Sequence, residues 1–373
     1  MNSVTPRIFV AATQQNDGKT TMALGLFAAL SRRLGQIGFI KPVGQRFVEV
    51  DGKRIDEDTV LIDQTFGVRV PLEAMSPIAV EPDFTRRYIE QANHDFLTRR
   101  IQNSFDRAAW EKDFVIIEGT GHAGVGSVFD LSNARVASLL GSKVLIVTQG
   151  GIGKPIDEIA LNKALFDQEG VEILGVILNK VIPEKLDYVQ EFARRGLQRL
   201  GIDLLGVIPA EPLLANPTLG QVCRTVKGAF LNGKTESRRR VKRVVIGAMN
   251  STHVMEYFQP GTLVVTPGDR EDIIMAALST ASLSEKEGRV IAGLVLSGDL
   301  FPHQNLIEMI KCSHLAAIAS PLDSYTVASS IHSMTVKTLP GDDEKIGKIQ
   351  ALIEKHVEVD RLLEKLAAPP AAI

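Results

Sequence analysis

The sequence predicts an α/β protein: a doubly wound parallel sheet, then a smaller α/β domain and a C-terminal helix. Three observations support this fold class. Short runs rich in β-branched residues recur along the first two thirds of the chain, stretches of helical length separate them, and the pattern lapses once before a second alternation begins. Strands that alternate with helices are typical of a parallel sheet covered on both faces.

The first domain is predicted to span residues 1–228. Its candidate strands are the apolar runs 8–12, 37–40, 114–117, 144–147, 174–178 and 204–208. Between them lie helical stretches such as 20–34, 156–166 and 186–200. The strand runs are almost continuously apolar, which indicates burial on both faces rather than one face in water.

A polar segment separates this domain from the next one. Residues 229–240 end in a run of arginines, and we interpret them as an exposed linker. Residues 241–340 repeat the alternation, with apolar runs 244–248, 263–265, 291–296 and 315–318 and helical stretches 271–281 and 304–310. Residues 341–373 form a helical tail, whose apolar stripe is expected to pack on its own domain, with a dimer seam as the alternative.

Composition excludes several classes of protein. Among 373 residues, 42 Lys and Arg face 44 Asp and Glu, so the net charge of −2 provides no field that attracts nucleic acid or an anionic membrane. Cys223 and Cys312 are too few for a disulfide framework or a paired-cysteine zinc site. Neither a membrane-spanning run nor a signal peptide is evident, and a cytoplasmic location is expected.

The junction between the first predicted strand and helix carries the signal of a phosphate-binding loop. Gly18, Lys19 and Thr20 end the pattern GxxxxGK[ST], although Thr13 stands where its first glycine would be. In such loops backbone N–H groups face the phosphates, the lysine neutralises their oxygens and the hydroxyl holds Mg²⁺. The predicted nucleotide-binding residues here are Gln15, Asn16, Asp17, Gly18, Lys19, Thr20 and Thr21.

A magnesium ion beside this loop also needs carboxylates from nearby strand ends. Glu118 follows the buried run 114–117, so it is expected at the carboxyl edge of the sheet, where doubly wound folds bind ligands. Asp58 lies in a polar segment and could reach the same ion. Its neighbours Asp56 and Glu57 stay open as alternatives to it.

Further segments fall in the same order as in dethiobiotin synthetase, which the chain resembles from residue 8 to about 225. They are 13–20, 41–43, 58–61, 76–77, 81–82, 118–119, 178–180 and 206–209. The chain is similar still more closely to the N-terminal region of long bacterial phosphotransacetylases, whose next module is named for a DRTGG motif. Residues 266–272 stand at that motif here. The resemblance implies a stand-alone relative that lacks the acetyltransferase domain.

The resemblance also implies roles for individual residues. Lys19 and Lys41 would be the catalytic residues beside the transferred phosphoryl group. Thr20, Asp58 and Glu118 would hold Mg²⁺. Asn179 would contact the adenine of ATP, and an asparagine does offer both a donor and an acceptor to a purine edge. From the residues alone, a solvated strand-end lysine at 41 and a turn residue at 179 stay open.

Two function classes remain open. In the first, the chain binds ATP and Mg²⁺ as a nucleotide-responsive regulatory module that a small-molecule effector regulates. In the second, it is a ligase related to dethiobiotin synthetase, which phosphorylates a carboxylate or carbamate of a small-molecule substrate. The first is favoured because residues 44–46 on the substrate side depart from the synthetase pattern. A homo-oligomer is expected in either class.

Overall fold

The computed structural model describes residues 2–284 and 291–368. The chain divides into two compact units. The first unit consists of Met1–Glu211 together with Thr338–Ile373, and the second unit consists of Pro212–Lys337. Within the described ranges, no helix is both long and apolar enough to cross a membrane.

The strands and helices follow in chain order. The strands are β1 (Arg7–Ala12), β2 (Ile37–Ile40), β3 (Val43–Gly44), β4 (Phe47–Val50), β5 (Lys53–Asp56), β6 (Ile78–Ala79), β7 (Phe114–Glu118), β8 (Lys143–Gln149), β9 (Ile173–Val181), β10 (Leu204–Pro209), β11 (Ala229–Asn232), β12 (Arg243–Ile246), β13 (Thr262–Pro267), β14 (Gly293–Ser297) and β15 (Ala317–Ala319). The helices are α1 (Lys19–Leu34), α2 (Glu57–Phe66), α3 (Leu72–Met75), α4 (Phe84–Glu90), α5 (His94–Ala108), α6 (Asn133–Leu139), α7 (Lys154–Gln168), α8 (Leu186–Gln198), α9 (Pro212–Ala215), α10 (Leu219–Thr225), α11 (Ser251–Val254), α12 (Glu271–Ser284), α13 (Gln304–Cys312), α14 (Ser324–Ser333), α15 (Asp343–His356) and α16 (Val359–Ala367).

The first unit is built on a six-stranded sheet in the order β10-β9-β8-β1-β7-β2. Every neighbouring pair in it is parallel. The chain runs from β1 outward to β2, returns to β7, and then continues on the other side of β1 with β8. This reversal of direction confirms the predicted doubly wound fold and brings the carboxyl ends of β1, β7 and β8 to one edge of the sheet.

The helices of the predicted tail belong to the first unit. Helix α15 packs along α1, and its Ile346, Ile349 and Ile353 are buried. The contact is close at Gly25 of α1, where an added Cβ would lie 2.1 Å from Ile353 Cγ1. The tail therefore completes the first unit instead of extending the domain that precedes it in sequence. Residues 369–373 of the predicted tail lie outside the described residues.

A matched pair of glycines tests this packing. Gly25→Ala should lower stability, since overpacking costs about 1–3 kcal/mol and outweighs the roughly 0.5–1 kcal/mol that Ala gains over Gly in a helix. Gly347→Ala, on the exposed face of α15 with nothing within 4 Å of an added Cβ, should instead raise stability. Chemical denaturation of both variants measures the difference. If Gly25→Ala is as stable as Gly347→Ala, the two helices are not in close contact.

The second unit has a five-stranded sheet in the order β11-β15-β14-β13-β12. Its pairs are parallel except for β11 and β15. The prediction of a linker at 229–240 is wrong, because 229–232 form β11 and the unit starts at Pro212, inside the predicted first domain. Phe230 and Leu231 pack on the core of the unit, and Asn232 Nδ2 donates to the carbonyls of Ile310 and Leu315. The polar residues that follow concealed this short strand.

Candidate functional site

The loop between β1 and α1 requires a glycine at position 18. Gly18 has φ of +107°, a left-handed conformation that residues with a Cβ rarely adopt. An added Cβ would also lie 2.2 Å from Asn179 Nδ2. Both the backbone conformation and the close approach of Asn179 therefore exclude a side chain here. Helix α1 begins immediately afterwards, at Lys19, so its first N–H groups open onto the loop.

Thr13, which stands where the pattern has its first glycine, makes side-chain contacts within the loop. The Thr13 hydroxyl donates to Asp17 Oδ2 at 2.9 Å, and the Gln14 N–H donates to the same oxygen at 2.7 Å. Thr13 Oγ1 also lies 2.7 Å from Thr148 Oγ1 at the end of β8. Burial raises the pKa of Asp17. Thr13 thus ties the loop to itself and to β8, and the Asp17 carboxylate is used within the loop.

The end of β9 holds the other side of the loop. Asn179 Nδ2 donates to the Asp17 carbonyl at 2.8 Å, and its Oδ1 accepts the Lys180 N–H at 2.9 Å. Lys180 Nζ donates to the Asn16 carbonyl at 2.6 Å. The structure therefore brings the predicted Asn179 to the loop, where its amide fixes the loop backbone. Its contact with a base stays a prediction.

A buried cluster of opposite charges lies where β2, β5 and β7 end. Lys41 Nζ is 3.1 Å from Asp56 Oδ1 and 3.3 Å from Glu118 Oε1, and it also pairs with Asp58. Burial alone would lower the pKa of Lys41, but the surrounding carboxylates, Glu118 first, raise it well above its usual value. Lys41 is thus a buried, protonated cation and not a solvated strand-end lysine.

The Glu118 carboxylate in this cluster leaves one oxygen without a hydrogen-bond partner among the described residues. Its carboxylate is 1% exposed, and Oε1 accepts the Thr20 hydroxyl at 2.9 Å. Oε2 has no hydrogen-bond partner among the described residues. Burial raises the pKa of Glu118 to about 7, against the opposing effect of Lys41. A buried acceptor without a partner is costly, so this oxygen fits a ligand such as a hard divalent cation.

Lys19 is a second buried cation beside the same cluster. Its ammonium makes a long hydrogen bond of 3.4 Å to the Gln14 carbonyl. Burial, and then the neighbouring Lys41, lower its pKa to about 8, while Glu118 acts in the opposite direction. A desolvated ammonium at a helix N-terminus is suited to an anion such as phosphate.

The structure brings most of the predicted site residues together. Thr20, Lys41, Asp58 and Glu118 meet in direct contacts, whereas Gln15 is exposed on the loop. Thr21 lies in the first turn of α1, and Asn16 has φ of +66°.

Asp56 belongs to the cluster as well. It is 2% exposed, contacts Lys41 and caps α2 by accepting the Asp58 N–H at 2.9 Å. In the sequence, the position of Asp56 just before a helix start indicated a helix cap two residues from Asp58. Across residues 2–284 and 291–368 no group of three or more His, Cys, Asp or Glu side chains is arranged as a metal site.

Comparisons with known proteins divide the chain in a similar way. The model of the AAA domain family matches residues 6–218, and that of the DRTGG domain matches residues 221–334. The predicted order of a P-loop nucleotide-binding domain followed by a DRTGG domain is confirmed, and the DRTGG match begins before the predicted 241.

Curated relatives include phosphate acetyltransferases. That of Nitrosomonas europaea is 28% identical over 371 residues, which cover 97% of this chain and 52% of that protein. That of Pseudomonas aeruginosa is 29% identical over 379 residues, with coverages of 97% and 52%. The chain thus spans about half the length of these relatives, and its predicted relation to the N-terminal region of phosphotransacetylases is confirmed. The resemblance to dethiobiotin synthetase stays a prediction.

Solved structures of low similarity also match. The cell division protein MinD of Aquifex aeolicus is 16% identical with a TM-score of 0.36, covering 56% of this chain and 84% of that chain. The CBS and DRTGG domains of Clostridium perfringens pyrophosphatase, complexed with the activator diadenosine tetraphosphate, are 18% identical with a TM-score of 0.26, covering 48% and 86%.

Proposed function

We propose that this chain, which belongs to the AAA domain family, binds ATP and Mg²⁺ in its first unit and acts as a nucleotide-responsive regulatory module. The observation that carries the proposal is the buried Glu118 carboxylate, with Oε1 on the Thr20 hydroxyl and Oε2 without a partner among the described residues. The loop that precedes α1 supplies the phosphate site beside it.

Different residues of the site would bind the phosphates and the Mg²⁺ ion. Lys19 and the backbone N–H groups of the loop would bind the phosphates, because the N-terminus of α1 favours negative charge. Thr20, Glu118 and Asp58 would hold Mg²⁺, which neutralises phosphate charge when bound. Phosphate and water oxygens would complete its shell, as is usual where protein supplies only one or two carboxylates. Asp17 would contribute its N–H, because its carboxylate is engaged within the loop.

Glu118→Gln tests the metal role. The glutamine amide can still accept a hydrogen bond from the Thr20 hydroxyl but carries no charge. The affinity for ATP in the presence of Mg²⁺ should therefore fall about tenfold, which corresponds to the loss of one charge-assisted contact. ATP affinity without Mg²⁺ should not fall. Titration calorimetry with and without a chelator measures both values.

Glu184→Gln is the matched control, since it removes a carboxylate from an exposed position of the same unit. It should leave both affinities unchanged. If Glu118→Gln keeps the wild-type ratio of the two affinities, the ion is held by other residues and the proposal fails.

The proposed regulatory role is supported by the DRTGG domain that follows the first unit and by the relation to phosphate acetyltransferases.

An ATP-dependent ligase is the second candidate function, and the position of Lys41 favours it. A buried ammonium 3.3 Å from Glu118 Oε1 lies where it could stabilise charge on a transferred phosphoryl group.

Turnover separates the two candidates. For the regulatory module, ATP hydrolysis should stay slow when diamines, amino acids or carboxylates are added. For the ligase, one of these compounds should raise hydrolysis strongly, because binding energy assembles the reacting groups. Phosphate release measured across such a panel, with diaminopelargonate included, decides between them.

A further inference from the structure

A second cleft lies in the first unit, away from the loop. This open cleft has a volume of about 560 Å³, within the range of roughly 300–1,000 Å³ that small-molecule sites occupy. Gln36 and Lys112, which line it, immediately precede β2 and closely precede β7. Because these strands are parallel, the cleft is at the amino edge of the sheet, whereas the loop is at the carboxyl edge. The two sites are therefore distinct.

Two cations converge in this cleft. Lys112 Nζ donates to the Val68 carbonyl at 2.7 Å, which fixes the ammonium against the wall. Burial and then the nearby Arg69 lower the pKa of Lys112, and they outweigh the opposite effects of Glu111 and Asp113. Arg69 is exposed, and among the described residues no group forms a hydrogen bond or ion pair with its guanidinium. An anion between these two groups would relieve their repulsion.

Of the other charged groups of the lining, Glu111 is exposed, whereas Arg107 and Asp106 have contacts elsewhere. Arg107 lies 3.7 Å from Glu73, and the Asp106 carboxylate accepts the backbone N–H of Asn2. Three cations, Arg69, Arg107 and Lys112, outnumber the two acids Asp106 and Glu111 in the lining, so the cleft has a net positive charge.

An aromatic surface adjoins the two cations. Trp110 lines the cleft and is 72% exposed, which is unusual for so large an apolar side chain. Two lining residues from separate segments of the chain, Arg69 and Glu111, have φ of +58° and +53°. Left-handed non-glycine residues cost of order 1–3 kcal/mol and concentrate at ligand sites. The indole offers a planar group something to stack on.

We propose that this cleft binds a small planar anion, an aromatic phosphate or carboxylate, with the acidic group on Arg69 and Lys112 and the ring on Trp110. A guanidinium fork matches the oxygens of either acid in a bidentate manner. The site goes beyond nucleotide binding at the loop and does not depend on it.

The single tryptophan of the chain reports directly on this cleft. Phenyl phosphate titrated into the full-length protein should change Trp110 fluorescence saturably, and Arg69→Gln should weaken the apparent affinity about tenfold. Benzoate in a parallel titration identifies whether a carboxylate also serves. Inorganic phosphate should bind more weakly than phenyl phosphate, because it has no ring to stack.

Two further variants control the experiment. Arg99→Gln removes an exposed arginine from α5 outside the cleft and should bind as the wild type does. Lys19→Ala, which alters the loop, should also leave the fluorescence titration unchanged. The proposal is overturned if neither anion gives a saturable change, if Arg69→Gln and Arg99→Gln behave alike, or if Lys19→Ala abolishes the signal.

Discussion

Lys19→Ala should lower the affinity for ATP about ten- to a hundredfold. A charge-assisted contact contributes roughly 1.5–3 kcal/mol, and this ammonium is desolvated, so water competes little for it. Burial lowers the pKa of Lys19 to about 8, which leaves it mostly protonated at neutral pH. Calorimetric titration of ATP in the presence of Mg²⁺ measures the loss.

Lys163→Ala is the matched control for this variant. Lys163 lies on α7 and pairs with Asp167 on the surface, so its removal should leave ATP affinity within about twofold of the wild type. Thermal unfolding of both variants separates loss of binding from loss of the fold. Equal ATP affinities for Lys19→Ala and the wild type, in proteins that are both folded, would contradict the phosphate-binding assignment of the loop.

The sequence allowed the central sheet and the loop to be predicted because both have local signals. The buried runs of β1, β2 and β7 are continuous, and the loop has a fixed spacing from Gly18 to Thr20. Glu118 was predicted for the same reason, since a carboxylate directly after a buried strand must lie at the carboxyl edge of the sheet.

The contacts that the sequence did not reveal are those between distant segments. Lys180 reaches the Asn16 carbonyl across 164 positions, and nothing in its own neighbourhood indicates this contact. Asp56 has the ordinary signature of a helix cap, which conceals its second contact with Lys41. The apolar stripe of the tail indicated that one face is buried but not which surface covers it. That surface is α1, more than 300 residues earlier in the chain.

Truncation of the chain after residue 211 is expected to cause the largest loss of stability. This deletion removes α15 and α16, exposing the surface of α1 that Ile349 and Ile353 cover. It also removes the strand-edge contact in which the Glu358 N–H donates to the Leu205 carbonyl at 2.8 Å. Losing one buried Ile side chain costs about 2–5 kcal/mol, so losing several should exceed the 5–15 kcal/mol that typically stabilises a domain. Circular dichroism should show an unfolded or aggregated protein.

A variant that keeps 1–211 and 338–368 is the matched comparison, with a flexible Gly/Ser linker in place of the second unit. Lys348 lies 2.8 Å from Glu211, so the two segments adjoin and a linker of about fifteen residues can join them. This variant should fold and bind ATP, whereas residues 1–211 alone should do neither. If 1–211 is equally stable, the packing of α15 on α1 contributes little.

The same variant also tests regulation. A second unit that responds to nucleotide must be coupled to the loop by a free energy of typically ~1–3 kcal/mol, and the coupling is reciprocal. ATP affinity should then differ at least about fivefold between the linked first unit and the intact chain. Identical affinities in two folded proteins would leave the second unit without influence on the nucleotide site, and the ligase would become the better explanation of the buried Lys41.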